Sequence, residues 1–169
     1  MNLGRPEAPS ALNASGLRVG LVTARFNARV TRRLTEGAEA SLRQAGIDPE
    51  DIDRVWVPGA FELAPTARRL AVAGRLDAVV CLGAVIAGGT DHYQYVCQSV
   101  TDGLTRLAQD AVPWGRHGVA VTFGVLTCAN LDQALARAGG SEGNKGADAA
   151  LAALEVALLW RDLPRPPVA

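Results

Sequence analysis

Two spacings of apolar residues alternate along the chain. Residues 17–24 (Leu-Arg-Val-Gly-Leu-Val-Thr-Ala) and 77–86 (Asp-Ala-Val-Val-Cys-Leu-Gly-Ala-Val-Ile) are short runs, mostly or wholly apolar after their first residues. The second, apolar on consecutive positions, is what a strand buried on both faces shows. Residues 52–57, closed by Pro58-Gly59, and 118–123 read as two further strands, with 124–128 carrying the last one into a loop. Between these runs the period changes to three and four. Val30, Leu34, Ala38, Leu42 and Ala45 mark a helix that ends at Gly46, a common C-terminal residue. A second helix begins near Phe61, tolerates Pro65 in its first turn and stops around Gly74. Val96, Val100, Leu104 and Leu107 mark a third. Leu131, Ala134, Leu135 and Ala138 mark a short fourth, which Asn130 can cap. A glycine-rich turn, 139–146, precedes a last helix from Ala147 to about Leu163.

Strands alternating with helices predict an α/β domain, a three-layer αβα arrangement around a central four-stranded parallel sheet. The last helix changes that picture. From 147 to 160 only Asp148 and Glu155 interrupt an apolar surface, and a helix apolar on most sides is buried on most sides. In a domain this small, that predicts an oligomer. Residues 1–16, rich in Pro, Ala, Ser and Asn, are expected to form a flexible N-terminal arm. Residues 17–163 form a single domain, and 164–169 form a tail that opens on Pro-Arg-Pro-Pro.

The chain has 169 residues, 17 basic and 17 acidic, so its formal charge is zero. A neutral balance argues against a nucleic-acid footprint or a polybasic membrane patch. The longest apolar runs fall short of the roughly 20 residues a span requires, and the N-terminus lacks the pattern of a secretory signal. Cys81, Cys97 and Cys128 form no C-x-x-C pair, and no Cys/His spacing suits a metal. Cys81 reads as a small core residue. A reducing cytoplasm fits this usage.

Candidate chemistry gathers where the third strand ends. Gly88-Gly89-Thr90 follows it directly and opens a helix, leaving backbone N–H groups at a helix N-terminus, where an anion is favoured. His92, two residues on, is of the type that moves protons near neutral pH. In parallel sheets ligands sit at the carboxyl ends of strands. The usual nucleotide signatures are absent. After the first strand the chain reads Thr23-Ala-Arg-Phe-Asn rather than G-x-G-x-x-G or a Ser/Thr-rich flavin phosphate cradle, and Asn144-Lys145-Gly146 is not a Walker loop.

Six segments, Pro58-Gly-Ala-Phe-Glu62, Gly83-Ala-Val-Ile86, Gly88-Gly-Thr-x-His92, Phe123-Gly-Val-Leu-Thr127, Gln133-Ala-x-x-Arg137-Ala-Gly139 and Gly143-Asn-Lys-Gly146, occur in the order and spacing of the lumazine synthases. The chain resembles that family from about residue 17 to 163. The resemblance implies a flavodoxin-like sheet, pentamers that in some members close a 60-subunit shell, and active sites between neighbouring subunits. It implies condensation of 5-amino-6-(D-ribitylamino)uracil with 3,4-dihydroxy-2-butanone 4-phosphate through imine formation, phosphate elimination, tautomerisation and ring closure, with no metal or organic cofactor.

By the same resemblance His92 transfers protons, Gly89 and Thr90 form the phosphate turn, and Arg137 pairs with that phosphate. Phe26 stacks on the pyrimidine. Ala60, Phe61 and Glu62, with Ala84, Val85 and Ile86, hold the ribityl chain and the uracil edge. Phe123 is offered by one subunit to its neighbour's substrate, and Lys145 contacts the uracil. The residues taken alone allow plainer roles: a helix start for His92, an N-cap for Thr90, dipole partners for Arg137 and Glu62, core packing for Phe123. Phe26 is an aromatic in a polar loop, which favours a ligand on either reading. Lys145 is the only lysine in a chain that otherwise uses arginine, which suggests a need for a compact ammonium. Three positions depart from the family pattern. Ala87 stands where a basic residue is usual, Gln94 where Asp is common, and Ala136 where Glu often precedes the arginine. A ligand-binding or shell-forming paralogue with little catalysis is the alternative, and the intact His92, Arg137 and Lys145 argue against it.

Overall fold

The computed structural model describes residues 12–111 and 114–164. Four parallel strands, β1 (Val19–Ala24), β2 (Ile52–Val57), β3 (Ala78–Ile86) and β4 (Ala120–Cys128), form one sheet in the order β2-β1-β3-β4. Helices α1 (Ala28–Gln44), α4 (Leu131–Ala136) and α5 (Lys145–Asp162) cover one face, and α2 (Leu63–Val72) and α3 (His92–Asp110) the other. The strand period of two builds both cores. Ala78, Val80, Leu82 and Ala84 of β3 pack towards α1 and α5, while Val79, Cys81 and Val85 pack towards α2 and α3. The expected three-layer parallel α/β fold is therefore present. Burial raises the Cys81 thiol to about 12, as suits an inert core residue.

Several boundaries differ from the sequence reading, each for a physical reason. The sequence places the fourth strand at 118–123 with 124–128 carrying it into a loop, but β4 runs unbroken beside β3, from Ala78↔Ala120 to Ile86↔Cys128. The glycine is there for closeness: a Cβ at position 124 would lie 2.6 Å from Leu82 Cδ2 and 3.2 Å from Ala149 Cβ of α5. The turn at 139–146 contains a small antiparallel pair, β5 (Ala138–Gly140) with β6 (Gly143–Asn144). Gly139 and Gly143, at φ 91° and 77°, make that reversal possible. Ala138 consequently leaves the helix pattern and joins the hairpin. Helix α5 starts two residues early because Asn144 Oδ1 accepts from the Gly146 and Ala147 amides at 2.9 and 3.2 Å. Ahead of α2, Ala60–Glu62 form a separate 3-10 turn.

Residues 1–11 of the expected arm, and 165–169 of the expected tail, lie outside the described residues. Residues 12–16 pack against the domain: Ala14 is buried and its amide donates to the Ala45 carbonyl at 2.8 Å. In a single copy of the chain α5 is covered on one side only. Ala149, Ala150, Ala153, Leu154 and Ala157 are buried, while Ala152 and Leu159 are exposed. Among the described residues no helix is long and apolar enough to cross a membrane.

Candidate active site

Because the four strands are parallel, the loops that follow them meet at one end of the sheet. Three of these loops and the start of α3 enclose a cavity of about 640 Å³. Phe26 enters from the loop after β1. Ala60, Phe61 and Glu62 enter from the turn after β2. Ala84, Val85 and Ile86 form the end of β3, and Gly88, Thr90 and His92 the approach to α3. Nine residues expected at the site from sequence thus share one cavity, with Gly88 beside them; Gly89 sits in the same turn without lining it.

Each side chain is held for a local reason. The Arg25 and Phe26 amides donate to the carbonyls of Val57 and Pro58 at 2.8 and 3.0 Å, which ties the β1 loop to the β2 loop. The two phenyl rings stay in solvent, Phe26 at 70% and Phe61 at 61% exposure. Apolar rings left open beside a cavity mark a surface that gains by covering a flat ligand. Glu62 Oε2 accepts from the Gly59 amide at 2.8 Å, so one carboxylate oxygen is used to fix the turn. His92 opens α3, whose N-cap residue, Asp91, makes no side-chain capping bond, and no acidic residue lies in the first turn itself. That leaves the positive end of the helix dipole facing Gly88–Thr90, where an anion is stabilised.

Phe123, Arg137 and Lys145 lie elsewhere. They line a second cavity of about 800 Å³ beside the edge strand β4, together with Thr127, Gln133 and Asp148. The two cavities share no lining residue. The β5–β6 hairpin makes the second site: it returns the chain so that the Lys145 amide donates to the Arg137 carbonyl at 2.8 Å, which brings two cationic residues together. Lys145 Nζ is 2.8 Å from Asp148 Oδ2, and Arg137 Nη1 donates to the Gln133 carbonyl at 3.2 Å. Phe123 is 44% exposed. Burial raises the Cys128 thiol, and the nearby Arg137 guanidinium partly offsets that.

Sequence reasoning missed several neighbours. Tyr93 and Val96 line the first cavity. Desolvation, and then its hydrogen bond with Cys97, raise the Tyr93 phenol. Asn27 anchors the Phe26 loop, its Nδ2 donating to the Ala84 carbonyl at 2.9 Å. Gln133 Oε1 accepts from the Ala129 amide at 3.0 Å. Proximity to His92 was the available signal for Tyr93; nothing in the local pattern signalled Asn27. Among the described residues no group of three His, Cys, Asp or Glu is arranged to hold a metal.

Comparison with known proteins agrees with this geometry. Residues 16–161 match the family model described as 6,7-dimethyl-8-ribityllumazine synthase. Proteins of that name from Anaeromyxobacter sp. (strain K) and Anaeromyxobacter dehalogenans (strain 2CP-1 / ATCC BAA-258) are each 50% identical over 157 residues, covering 93% of this chain and 93% of the relative. The protein from Anaeromyxobacter dehalogenans (strain 2CP-C) is 48% identical over the same length. With a parallel α/β sheet, a cavity at its strand ends and a match along nearly the whole chain, this protein belongs to the 6,7-dimethyl-8-ribityllumazine synthase family.

Proposed function

We propose that the chain condenses 5-amino-6-(D-ribitylamino)uracil with 3,4-dihydroxy-2-butanone 4-phosphate to 6,7-dimethyl-8-ribityllumazine, a step of riboflavin biosynthesis, at sites built by two neighbouring subunits. The observation that carries the reading is the separation of the residues. Phe26, Glu62 and His92 surround one cavity and Phe123, Arg137 and Lys145 another, and the sequence resemblance assigns site roles to both groups. One copy supplies a stacking ring, a ribityl edge and a proton carrier. The other supplies a second ring and two cations. A closed ring of subunits joins each first half to a neighbour's second half, and the pentamer is the ring this family suggests. The half-covered α5 supports association, as does the exposed Phe123 on the sheet's edge strand.

In this site the pyrimidine stacks on Phe26, with its edge along Ala84, Val85 and Ile86. The ribityl hydroxyls run towards Ala60, Phe61 and Glu62. The 5-amino nitrogen attacks the ketone carbon, and loss of water gives the imine. His92 takes up and returns protons in these steps. Phosphate then leaves with the electrons of its C–O bond, and the neighbour's Arg137 and the Gly89-Thr90 turn stabilise the departing charge. Tautomerisation exposes a carbonyl. The ribityl-bearing nitrogen closes on it, and a second water departs. Much of the acceleration comes from holding the two reactants together. The synthesis runs in the cytoplasm, as the cysteine usage suggests.

The test is lumazine formation by absorbance and fluorescence, with both substrates supplied and a protein-free control, because the substrates also condense unaided. A rate clearly above control supports the enzyme. A rate equal to control, from folded protein that still binds the pyrimidine, overturns catalysis in favour of a ligand-binding role. Sedimentation of the same sample separates a pentamer from a 60-subunit shell.

A further inference from the structure

We propose that Asn27 is a positioning residue that sets the spacing between the pyrimidine's stacking ring and the strand edge that reads it; this rests on the function proposed above. Among the described residues Asn27 is the only non-glycine at positive φ, with φ 60° and ψ 44°. Asparagine tolerates this left-handed region better than most residues, but the conformation still needs an outside restraint. Asn27 stands at the N-cap of α1, where an asparagine oxygen normally accepts from the next turn's amides. Here the side chain makes no capping bond. Its Nδ2 donates instead to the Ala84 carbonyl, 2.9 Å away and 57 positions along the chain.

That carbonyl has a particular place in the sheet. The pairing of β1 with β3 ends at Thr23↔Leu82, while β3 continues to Ile86. Beyond Leu82 no residue of β1 pairs with β3, yet Ala84 is only 2% exposed. A buried carbonyl without a donor is costly, and the Asn27 amide supplies one. On its other side the same loop is fixed by the Arg25 and Phe26 amides to Val57 and Pro58. Phe26 therefore hangs from a loop held at both edges, and a single side-chain bond sets its distance from Ala84, Val85 and Ile86. A ligand that stacks on the ring and bonds to that strand edge needs the two at one fixed separation. The phosphate contacts at Thr90 and Arg137 do not depend on it.

Two variants test the role. Asn27→Gly keeps the left-handed backbone and deletes the tether, and Asn27→Asp keeps the shape but replaces the donor with an acceptor. In Asn27→Gly, the Kd for 5-amino-6-(D-ribitylamino)uracil by calorimetry rises about tenfold. Its KM for the phosphorylated ketone stays within about twofold of wild type, since the phosphate contacts are intact. Asn27→Asp shifts the same constant at least as far, because its carboxylate opposes the Ala84 carbonyl. Wild-type pyrimidine affinity in both variants overturns the proposal. So does a parallel rise in both constants with a fall in kcat, which is what general loosening of the fold produces. If the wild-type chain neither binds the pyrimidine nor forms lumazine, the proposed function fails first and this role fails with it.

Discussion

Replacing Arg137 by alanine tests the phosphate half of the site. Arg137 closes α4, and among the described residues its guanidinium has one hydrogen-bond partner, the Gln133 carbonyl at 3.2 Å. That carbonyl belongs to an exposed residue, so water replaces the lost donor at little cost to the fold. A charge-assisted bond to phosphate contributes about 1.5–3 kcal/mol. Arg137 is half-buried rather than enclosed, and Lys145 beside it, with the neighbouring subunit's α3 N-terminus in the proposed shared site, retains positive potential there, so the lower half of that range applies. The expected result is a KM for the phosphorylated ketone raised about 12- to 40-fold. The pyrimidine KM should move less than about threefold, because Phe26 and the β3 edge are untouched. Initial rates of lumazine absorbance, with each substrate varied in turn, give both constants after subtraction of the protein-free rate. An unchanged ketone constant would refute the assignment. An equal rise in both would show that the arginine supports the assembly rather than the phosphate.

Three further outcomes follow from the same geometry. When Phe26→Ala and Arg137→Ala chains are co-assembled in equal amounts, about a quarter of the interfaces combine two intact halves; activity at low ketone should rise above both parents, and no recovery would sink the shared site. Asn144→Ala removes the α5 cap and the 2.8 Å bond from Nδ2 to the Arg33 carbonyl, and should cost about 2 kcal/mol in urea melts, with Asn144→Asp recovering the cap portion. A wild-type melt for the alanine variant would remove Asn144 from the folding account. Glu39 bonds Arg54 at 2.8 Å and Arg43 at 2.7 Å, and chiefly the Arg54 hydrogen bond holds its carboxyl below the usual range. A lowered folded pKa stabilises above the ordinary glutamate range and loses that contribution as pH falls through the folded value. Glu39→Gln should therefore be about 0.5–1 kcal/mol less stable near neutrality, allowing for solvent screening, with the gap closing below roughly pH 4. A gap that persists or widens in acid contradicts the ion-pair reading.

The limits of sequence reasoning follow from how far each signal reaches. The unbroken apolar run of β3 and the period of three to four along α1 and α3 are local properties, and they identified the strands, the helices and the parallel sheet. The Gly88–His92 turn was legible because a glycine break, a hydroxyl and an imidazole lie within five positions. The continuation of β4 past Phe123 was missed because a glycine that admits a neighbouring side chain looks, in sequence, like one that ends a strand. The β5–β6 pair was hidden because two or three residues are too few to show a period.

The sequence by itself determined the fold class, the family resemblance and the chemistry available at each strand end, since all of these rest on residue type and short spacing. Only the tertiary structure decided the rest. It placed Arg137 and Lys145 side by side through one backbone bond, and separated them from Phe26 and His92. It also set an asparagine against a carbonyl 57 residues away. Distance along the chain carries no information about such meetings. They are fixed when sheet order, helix packing and the last unsatisfied carbonyl are settled together.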